Sequence, residues 1–502
     1  MRESSQTTDG GDDDMSTRPQ EFHGPSRAAR TARAVAAGVA VLAVTGSAAL
    51  TVASAQDSGR TAAGSPAGLW RVDGYGTVLA VGEKRVREYQ TTGVSCLEGP
   101  AARRTGGHGR TARYATGDGT SFTLRSRAGS AHRATMHWEQ SPGHRELRRI
   151  ESLPERCDRS VPKGPVATFD VFWQTFAENY PFFAAKGVDW EEVRDRYRPR
   201  VHAGTSRAQL FAIFRKMVAP LYDAHVAVLA GETGTFGRVR PGTEAPTPEL
   251  DAEVRTFVER RDLKDGTLRE FGHGRIGYAD LPDGQGYLRL SGFVGYTGGD
   301  YASQRAELRR ALDAVFTAER TRRLTGLTVD LRVNGGGSDN LALELAGRLT
   351  GRPYFAYAKA ARNDPSDPER FTRPQPVHVR PAAGAPRYTG PVAVLTGGST
   401  VSAGETFTQA LMERPGRTVR IGQPTQGVFS DTLERRLPNG WSVMLPNEEF
   451  RTRHGRTFDG TGIPPHLTEP VFTDEEFAHD RDSAFDRARR ELTGARERGG
   501  RS

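Results

Sequence analysis

The chain has 502 residues, a formal net charge of +9 and two cysteines. That length leaves room for two to four domains with a full core. Basic and acidic residues are interspersed, and lysine occurs only at positions 84, 163, 186, 216, 264 and 359. No long basic block or aromatic–basic alternation stands out, so the composition argues for a solvated, arginine-biased surface and against nucleic-acid binding.

Residues 1–55 read as a polar leader followed by a targeting segment. Arg27, Arg30 and Arg33 lead into an apolar run from Ala34 to Val52, closed by Ala53-Ser54-Ala55. This is either a cleaved signal peptide, with small residues at the cleavage site, or an uncleaved membrane anchor. Both place the remainder outside the cytoplasm, and the chain meets a membrane only if that segment is retained. In an exported chain the pair Cys96 and Cys157 is expected to form a disulfide. Neither cysteine has a second cysteine or histidine at ligand spacing, so no metal site is expected from them.

Residues 56–67 read as a Gly/Ser/Ala-rich linker. From 68 to 160, short alternating runs such as Thr77–Val81 and Ser121–Leu124 are separated by Gly and Asp breaks, which predicts a small all-β domain. It carries no residue pattern that suggests chemistry. Residues 165–230 form a helical subdomain, in which Phe169, Phe172, Trp173, Phe176 and Tyr180 recur at helical spacing, as do Leu210, Phe214 and Met217. That stripe reads as core. Residues 231–275 read as a loop and connector. From 276 to 472 strand and helix signals alternate, predicting a parallel sheet covered by helices, with a hairpin around Pro438-Asn439-Gly440. A helix from Asp474 to Leu492 and a disordered arginine-rich tail complete residues 473–502.

The chemistry concentrates at Thr396-Gly-Gly-Ser-Thr-Val-Ser402-Ala403-Gly404-Glu405. An apolar strand precedes this turn and a helix follows it, so Ser402 stands where helix N–H groups and dipole favour negative charge. That suits an acyl-transfer nucleophile. Ser402-x-x-Glu405 is equally a capping box that starts a helix. Asp330-Leu-Arg-Val-Asn-Gly335-Gly336-Gly337 ends another strand of the same sheet, and its glycines let backbone N–H groups converge on one spot. Neither a dinucleotide spacing nor Gly-Lys-Ser/Thr follows, which excludes the common phosphate cradles. Ser–Lys dyads of this type place lysine downstream of the serine, and no lysine follows Lys359, so histidine is the remaining base. His225, at a helix-to-strand junction in Leu221-Tyr-Asp-Ala-His-Val226, is either that base or a hydrogen-bonded core residue. His454 and His466 are the next candidates.

Five ordered elements resemble the C-terminal-processing (tail-specific) serine peptidase superfamily. They are Leu221–Val226, Gly286–Phe293, Asp330–Gly337, Thr400–Glu405 and Gly462–Pro465. The resemblance spans about Phe169 to Val471 and implies an α/β fold with a crotonase-like (ClpP/crotonase) core. It also implies endopeptidase or carboxy-terminal peptidase activity on a peptide or protein, with no metal or organic cofactor. Val428 stands where relatives with a Ser–Lys dyad carry lysine, so the chain is similar to the tricorn-core branch. The resemblance then makes Ser402 the nucleophile, His225 the base, and the Gly336 and Ala403 N–H groups the oxyanion hole. Ala224 occupies the helper-serine position, and Asp459 replaces the helper glutamate. Roughly 60 residues between His225 and Tyr287 leave no room for a PDZ module, since a domain typically takes ~100. The alternative is a catalytically impaired relative that binds an apolar ligand or peptide, although retention of Ser402, His225 and the glycine turn together argues against it.

Overall fold

The computed structural model describes residues 65–264 and 266–499, with side chains through 493. The targeting segment and most of the linker lie outside the described residues. Between Gly68 and Ile150, eight antiparallel strands each pair with the next in sequence, and the first pairs with the eighth. Side chains alternate between buried and solvent-facing, as in Ser121–Ser126 and Arg133–Trp138, because successive Cβ atoms point to opposite faces. An eight-stranded barrel is just wide enough for side chains such as Leu79, Tyr114, Leu124 and Met136 to fill. Cys96 opens the fourth strand and is bonded to Cys157, in the turn after the last strand, so the chain leaving the barrel is tied back to its wall.

Three helices follow, Pro165–Asn179, Trp190–Tyr197 and Arg207–Val218. Asp189 and Ser206 cap the second and third through hydrogen bonds to the N3 amides. The expected aromatic stripe is core: Phe172 and Phe214 stack at 3.8 Å, and the Trp173 and Trp190 indoles each donate to the other's carbonyl at 3.0 Å. Past the third helix, Tyr222 turns the chain with φ +45° into Asp223-Ala224-His225 and the strand Ala227–Leu229. That strand pairs with Ser442–Pro446, the second arm of the hairpin whose first arm is Thr432–Arg436.

The α/β core is a seven-stranded sheet. Its strands, in spatial order, are Arg269–Phe271, Ile276–Asp280, Gln285–Leu290, Gly326–Asp330, Val392–Thr396, Thr418–Gly422 and Leu467–Thr468. The last five run parallel. Val392 and Val394 face a layer containing Leu308, Leu345, Phe407 and Leu411. Ala393 and Leu395 face the opposite layer, with Phe485, Ala488 and Leu492. Burial on both faces explains why these strands read as continuous apolar runs.

Three expectations are corrected. Residues 231–275, read as loop and connector, contain the helix Pro248–Phe257, capped by Thr247, and it runs into a single π turn, Val258–Asp262. The single C-terminal helix is two, Asp474–Ala478 and Ser483–Gly499, and the second continues through most of the tail read as disordered. The break follows from Asp482, which caps the second helix through the Phe485 N–H at 2.8 Å and also pairs with Arg332. Arg332 is buried between Asp482 and Asp330, with contacts of 2.6 Å to each, so it ties the C-terminal helix to the end of a central strand.

Arg332→Met leaves two buried carboxylates without their cation, and removing one partner from such a cluster costs about 3–5 kcal/mol. Chemical denaturation of the variant and wild type is expected to show a loss of that size.

Candidate active site

The turn carrying Ser402 and the glycine turn are physically zipped together. Ser399–Thr400 pairs in parallel with Val333–Asn334, and the Val401 N–H donates to the Asn334 carbonyl at 3.0 Å. Ser402 has φ +56° and ψ −119°, outside the regions an L-residue ordinarily occupies. Strain of this kind persists only where neighbours over-determine the backbone. Here the Ser402 N–H donates to the Val428 carbonyl at 3.1 Å, while the Ser402 carbonyl accepts from the Glu405 and Thr406 amides. The result is a half-buried serine on a sharp strand-to-helix corner, at the N-terminus of Ala403–Met412.

Glu405 does more than cap that helix. Its fully buried carboxylate accepts from Ser402 N at 3.2 Å, Gly427 N at 2.6 Å and Val428 N at 2.8 Å. Burial pushes this group up to about 7, against the stabilising pull of Thr425 and those amides. The carboxylate half of the capping box is thus present, while the Glu405 N–H is taken by the Ser402 carbonyl, and the carboxylate also locks the 425–428 loop onto the serine turn. Arg240, from the connector, clamps the same loop through the Thr425 and Gln426 carbonyls.

Gly336 lies directly against the serine. A Cβ built on it would stand 2.6 Å from the Ser402 Cβ and 3.2 Å from the Ala403 nitrogen, and its φ is +80°. Only glycine fits both the backbone and the space. The Gly336 N–H donates to Asn334 Oδ1 at 3.0 Å, and Asn334 Nδ2 is anchored on the Leu290 carbonyl at 2.8 Å. Asn334 is a site-building residue that the motif contained but sequence reasoning left without a role.

His225 is half-buried, and its Nδ1 is buried without a hydrogen-bond partner. Burial pushes the imidazole below its ordinary 6.5, opposed by the Asp223 and Asp431 carboxylates and the Ser430 backbone. The Asp223 carboxylate accepts from the His225 backbone N–H at 2.9 Å and from the Tyr180 hydroxyl at 2.8 Å. The segment Val428–Asp431 therefore touches both candidate groups, taking the Ser402 N–H at one end and flanking the His225 ring at the other. No hydrogen bond joins the Ser402 and His225 side chains among the described residues.

Asp459 is buried behind the same segment. It accepts from the Phe429 N–H at 3.3 Å and from the Thr457 hydroxyl. Burial first, then the Asp223 and Glu405 carboxylates, hold it well above the usual carboxylate range. It makes no hydrogen bond to His225, so the carboxylate that meets the histidine segment directly is Asp223. The aspartate of the Leu-x-Asp-x-His pattern was the available signal for it. His466 is tied to the sheet edge, its Nδ1 accepting from the Arg420 N–H at 3.1 Å. No cluster of metal-ligating side chains occurs among the described residues.

Residues 284–468 match peptidase family S41, and residues 167–219 match the tricorn protease C1 domain. Among solved structures, the chain is similar to a "putative peptidase" from Parabacteroides merdae ATCC 43184, at 26% identity over 66% of this chain and 97% of that one, with a TM-score of 0.55. It is also similar to mature CPAF complexed with lactacystin (12% identity, 66% and 97% covered, TM-score 0.47). A third likeness is to the photosystem II D1 C-terminal processing protease (18% identity, 61% and 93% covered, TM-score 0.40).

Gly336→Ala forces a Cβ into Ser402 and an alanine into a positive-φ site, whereas Gly335→Ala meets nothing nearer than Pro246 Cγ at 3.8 Å. With a chromogenic ester or peptide substrate, Gly336→Ala is expected to lose about 100-fold or more in turnover, the scale of losing one oxyanion donor. Gly335→Ala is expected to stay within a few-fold of wild type.

Proposed function

We propose that this chain, a serine-type peptidase with a family S41 domain, hydrolyses peptide bonds through Ser402 and His225 outside the cytoplasm. The observation that carries this reading is the strained, over-determined Ser402 corner pressed against the Gly336 turn. A serine that served only to start a helix would not need φ +56° or a glycine neighbour with no room for a methyl group. Ser402 Oγ attacks the scissile carbonyl, and the neutral His225 ring takes its proton and returns it to the leaving amine. The Ala403 N–H and the glycine turn stabilise the oxyanion at the positive end of the helix. Gly336 enters that role by exchanging Asn334 Oδ1 for the oxyanion. Asp459 supports the histidine indirectly, through the Phe429 backbone and the segment beside the ring. Export is supported by the basic-apolar-small leader of the sequence and by the Cys96–Cys157 bridge, which persists in oxidising compartments. No helix among the described residues is long and apolar enough to cross a membrane.

Ser402→Ala is expected to lose at least about 10³-fold in turnover, while its thermal midpoint moves by no more than the loss of a cap worth about 1 kcal/mol. A fluorophosphonate probe is expected to label wild type and not the variant. Retained wild-type turnover in Ser402→Ala overturns the reading.

The pH profile follows from the base. The active form carries a neutral imidazole, so activity rises with pH, and because burial lowers the His225 pKa the half-activity point falls below 6.5. His225→Ala is expected to abolish this limb. Asp223→Asn is expected to cost more than Asp459→Asn, because only Asp223 bonds the His225 backbone. The reverse order of losses would assign Asp459 the direct role.

A further inference from the structure

A cavity of about 810 Å³ lies between the β barrel and the α/β core, and Ser402 is not among its lining residues. Its size matches ligand-binding clefts, typically ~300–1,000 Å³. Arginine and lysine side chains outnumber carboxylates along its lining by seven to four. The floor is internally satisfied. Lys359 contacts Asp431 at 2.9 Å and Glu448 at 3.2 Å, and Ser141 of the barrel donates to Asp431 at 2.6 Å. The walls are not. Arg127, Arg145 and Arg373 pair with no carboxylate among the described residues. Arg145 lies over two aromatic rings, its guanidinium carbon 4.0 Å from the Tyr75 ring centre and 5.5 Å from that of Trp138. A guanidinium placed over aromatic faces loses little further freedom when its planar N–H fork binds a carboxylate through two parallel hydrogen bonds.

The cavity also reaches the site through the backbone. Asp431 lines it and lies beside His225, and the adjacent Ser430 faces the same ring. On the barrel side, the Gln140 carbonyl accepts from the Ser338 hydroxyl at 2.7 Å and the Glu139 carbonyl from Asn340 Nδ2 at 2.8 Å. The loop that forms one wall of the cavity is thereby fastened to the helix start that follows the Gly335–Gly337 turn. The elements that line the cavity are thus connected both to the surroundings of His225 and to the helix start beside the glycine turn.

We infer that this barrel–core cavity is a peptide-binding subsite that captures a substrate carboxylate, terminal or side-chain, on Arg145, with Arg373 and Arg127 at its mouth. The inference rests on the peptidase reading for its use in hydrolysis, but binding can be measured without turnover. In the Ser402→Ala protein, fluorescence anisotropy would compare three N-terminally labelled alanine-rich decapeptides: a free C-terminal acid, the corresponding amide, and an amide with one internal glutamate. At least one carboxylate-bearing peptide is expected to bind about tenfold more tightly than the plain amide, with the preference weakening as salt rises. Preference for the acid assigns a terminal carboxylate; preference for the glutamate peptide assigns a side chain. Arg145→Gln is expected to abolish the preference, and the exposed Arg373→Gln to reduce it at an unchanged thermal midpoint. Equal binding of all three peptides, or a preference that survives Arg145→Gln, overturns the subsite. Because the readout is affinity alone, an inactive wild type with intact carboxylate preference would sink the peptidase mechanism and leave the subsite standing.

Discussion

The buried carboxylate of Glu405 is the constraint on which the site depends. It gathers the Gly427 and Val428 N–H groups, which would otherwise be orphaned in a dry interior, and shares the Ser402 N–H with the Val428 carbonyl. A buried amide without a partner costs about 1–3 kcal/mol, and two at one point would open the loop. The same carboxylate sits in the first turn of the helix that begins at Ala403, where the dipole favours negative charge. One side chain therefore fixes the strained serine corner, starts the helix behind it and sets the path of the 425–428 loop. That path decides where Phe429, Ser430 and Asp431 lie, and with them what surrounds His225 and Asp459. The raised pKa of Glu405 is the cost of this arrangement, since desolvation outweighs the amides that favour its charged form.

The second organising contact is between domains. Lys359, deeply buried, is shared among Asp431, Glu448 and the barrel's Ser141. Burial alone would lower its pKa, but the two carboxylates outweigh it and favour the charged form. Tyr75 of the barrel reaches the same Glu448. The barrel is thus docked through polar and ionic contacts as well as packing, and Asp431 belongs at once to the docking contact and to the surroundings of His225. A displacement of the barrel would move a charge that acts on the histidine.

Much of the fold was legible because its signals are local. The central strands advertise themselves as apolar runs buried on both faces, and the aromatic faces of Pro165–Asn179 and Arg207–Val218 follow the helical period. The cysteine pair could be matched because no other thiol competes. What was missed depends on distant partners. Tyr354–Ala361 is a strand rich in alanine, a residue of weak β preference, and it is held by pairing with Gln375–Val379 and Glu448–Arg451. The C-terminal helix breaks because Asp482 must meet Arg332, 150 residues away. The helix at Pro248 did carry a local signal, Thr247-Pro248 as cap and first residue, obscured by the glycines and prolines before it. At the site, residue types and order sufficed to nominate Ser402, Gly336 and His225. They could not show that the Gly336 amide is engaged by Asn334, or that Asp459 faces the Phe429 backbone.

The surroundings of His225 carry a chemical compromise. Ala224 supplies no hydroxyl, and the ring's buried Nδ1 has no partner. An imidazole oriented by an ionised hydrogen-bond acceptor is more basic; one held by packing alone is less so. Lower basicity keeps the ring neutral over a wider pH range, so under the mechanism proposed above a larger fraction of molecules could accept the serine proton. It also makes each transfer less favourable, since general-base strength follows the pKa. The Ser430 backbone offsets part of that loss, and Asp223 and Asp431 do so by favouring the imidazolium through their fields. Neither needs to touch the ring for this, because a carboxylate in a poorly solvated interior acts over a longer range than it would in water. What favours the charged ring is thus spread over the Ser430 backbone and two carboxylates on different elements, one of them tied to the barrel.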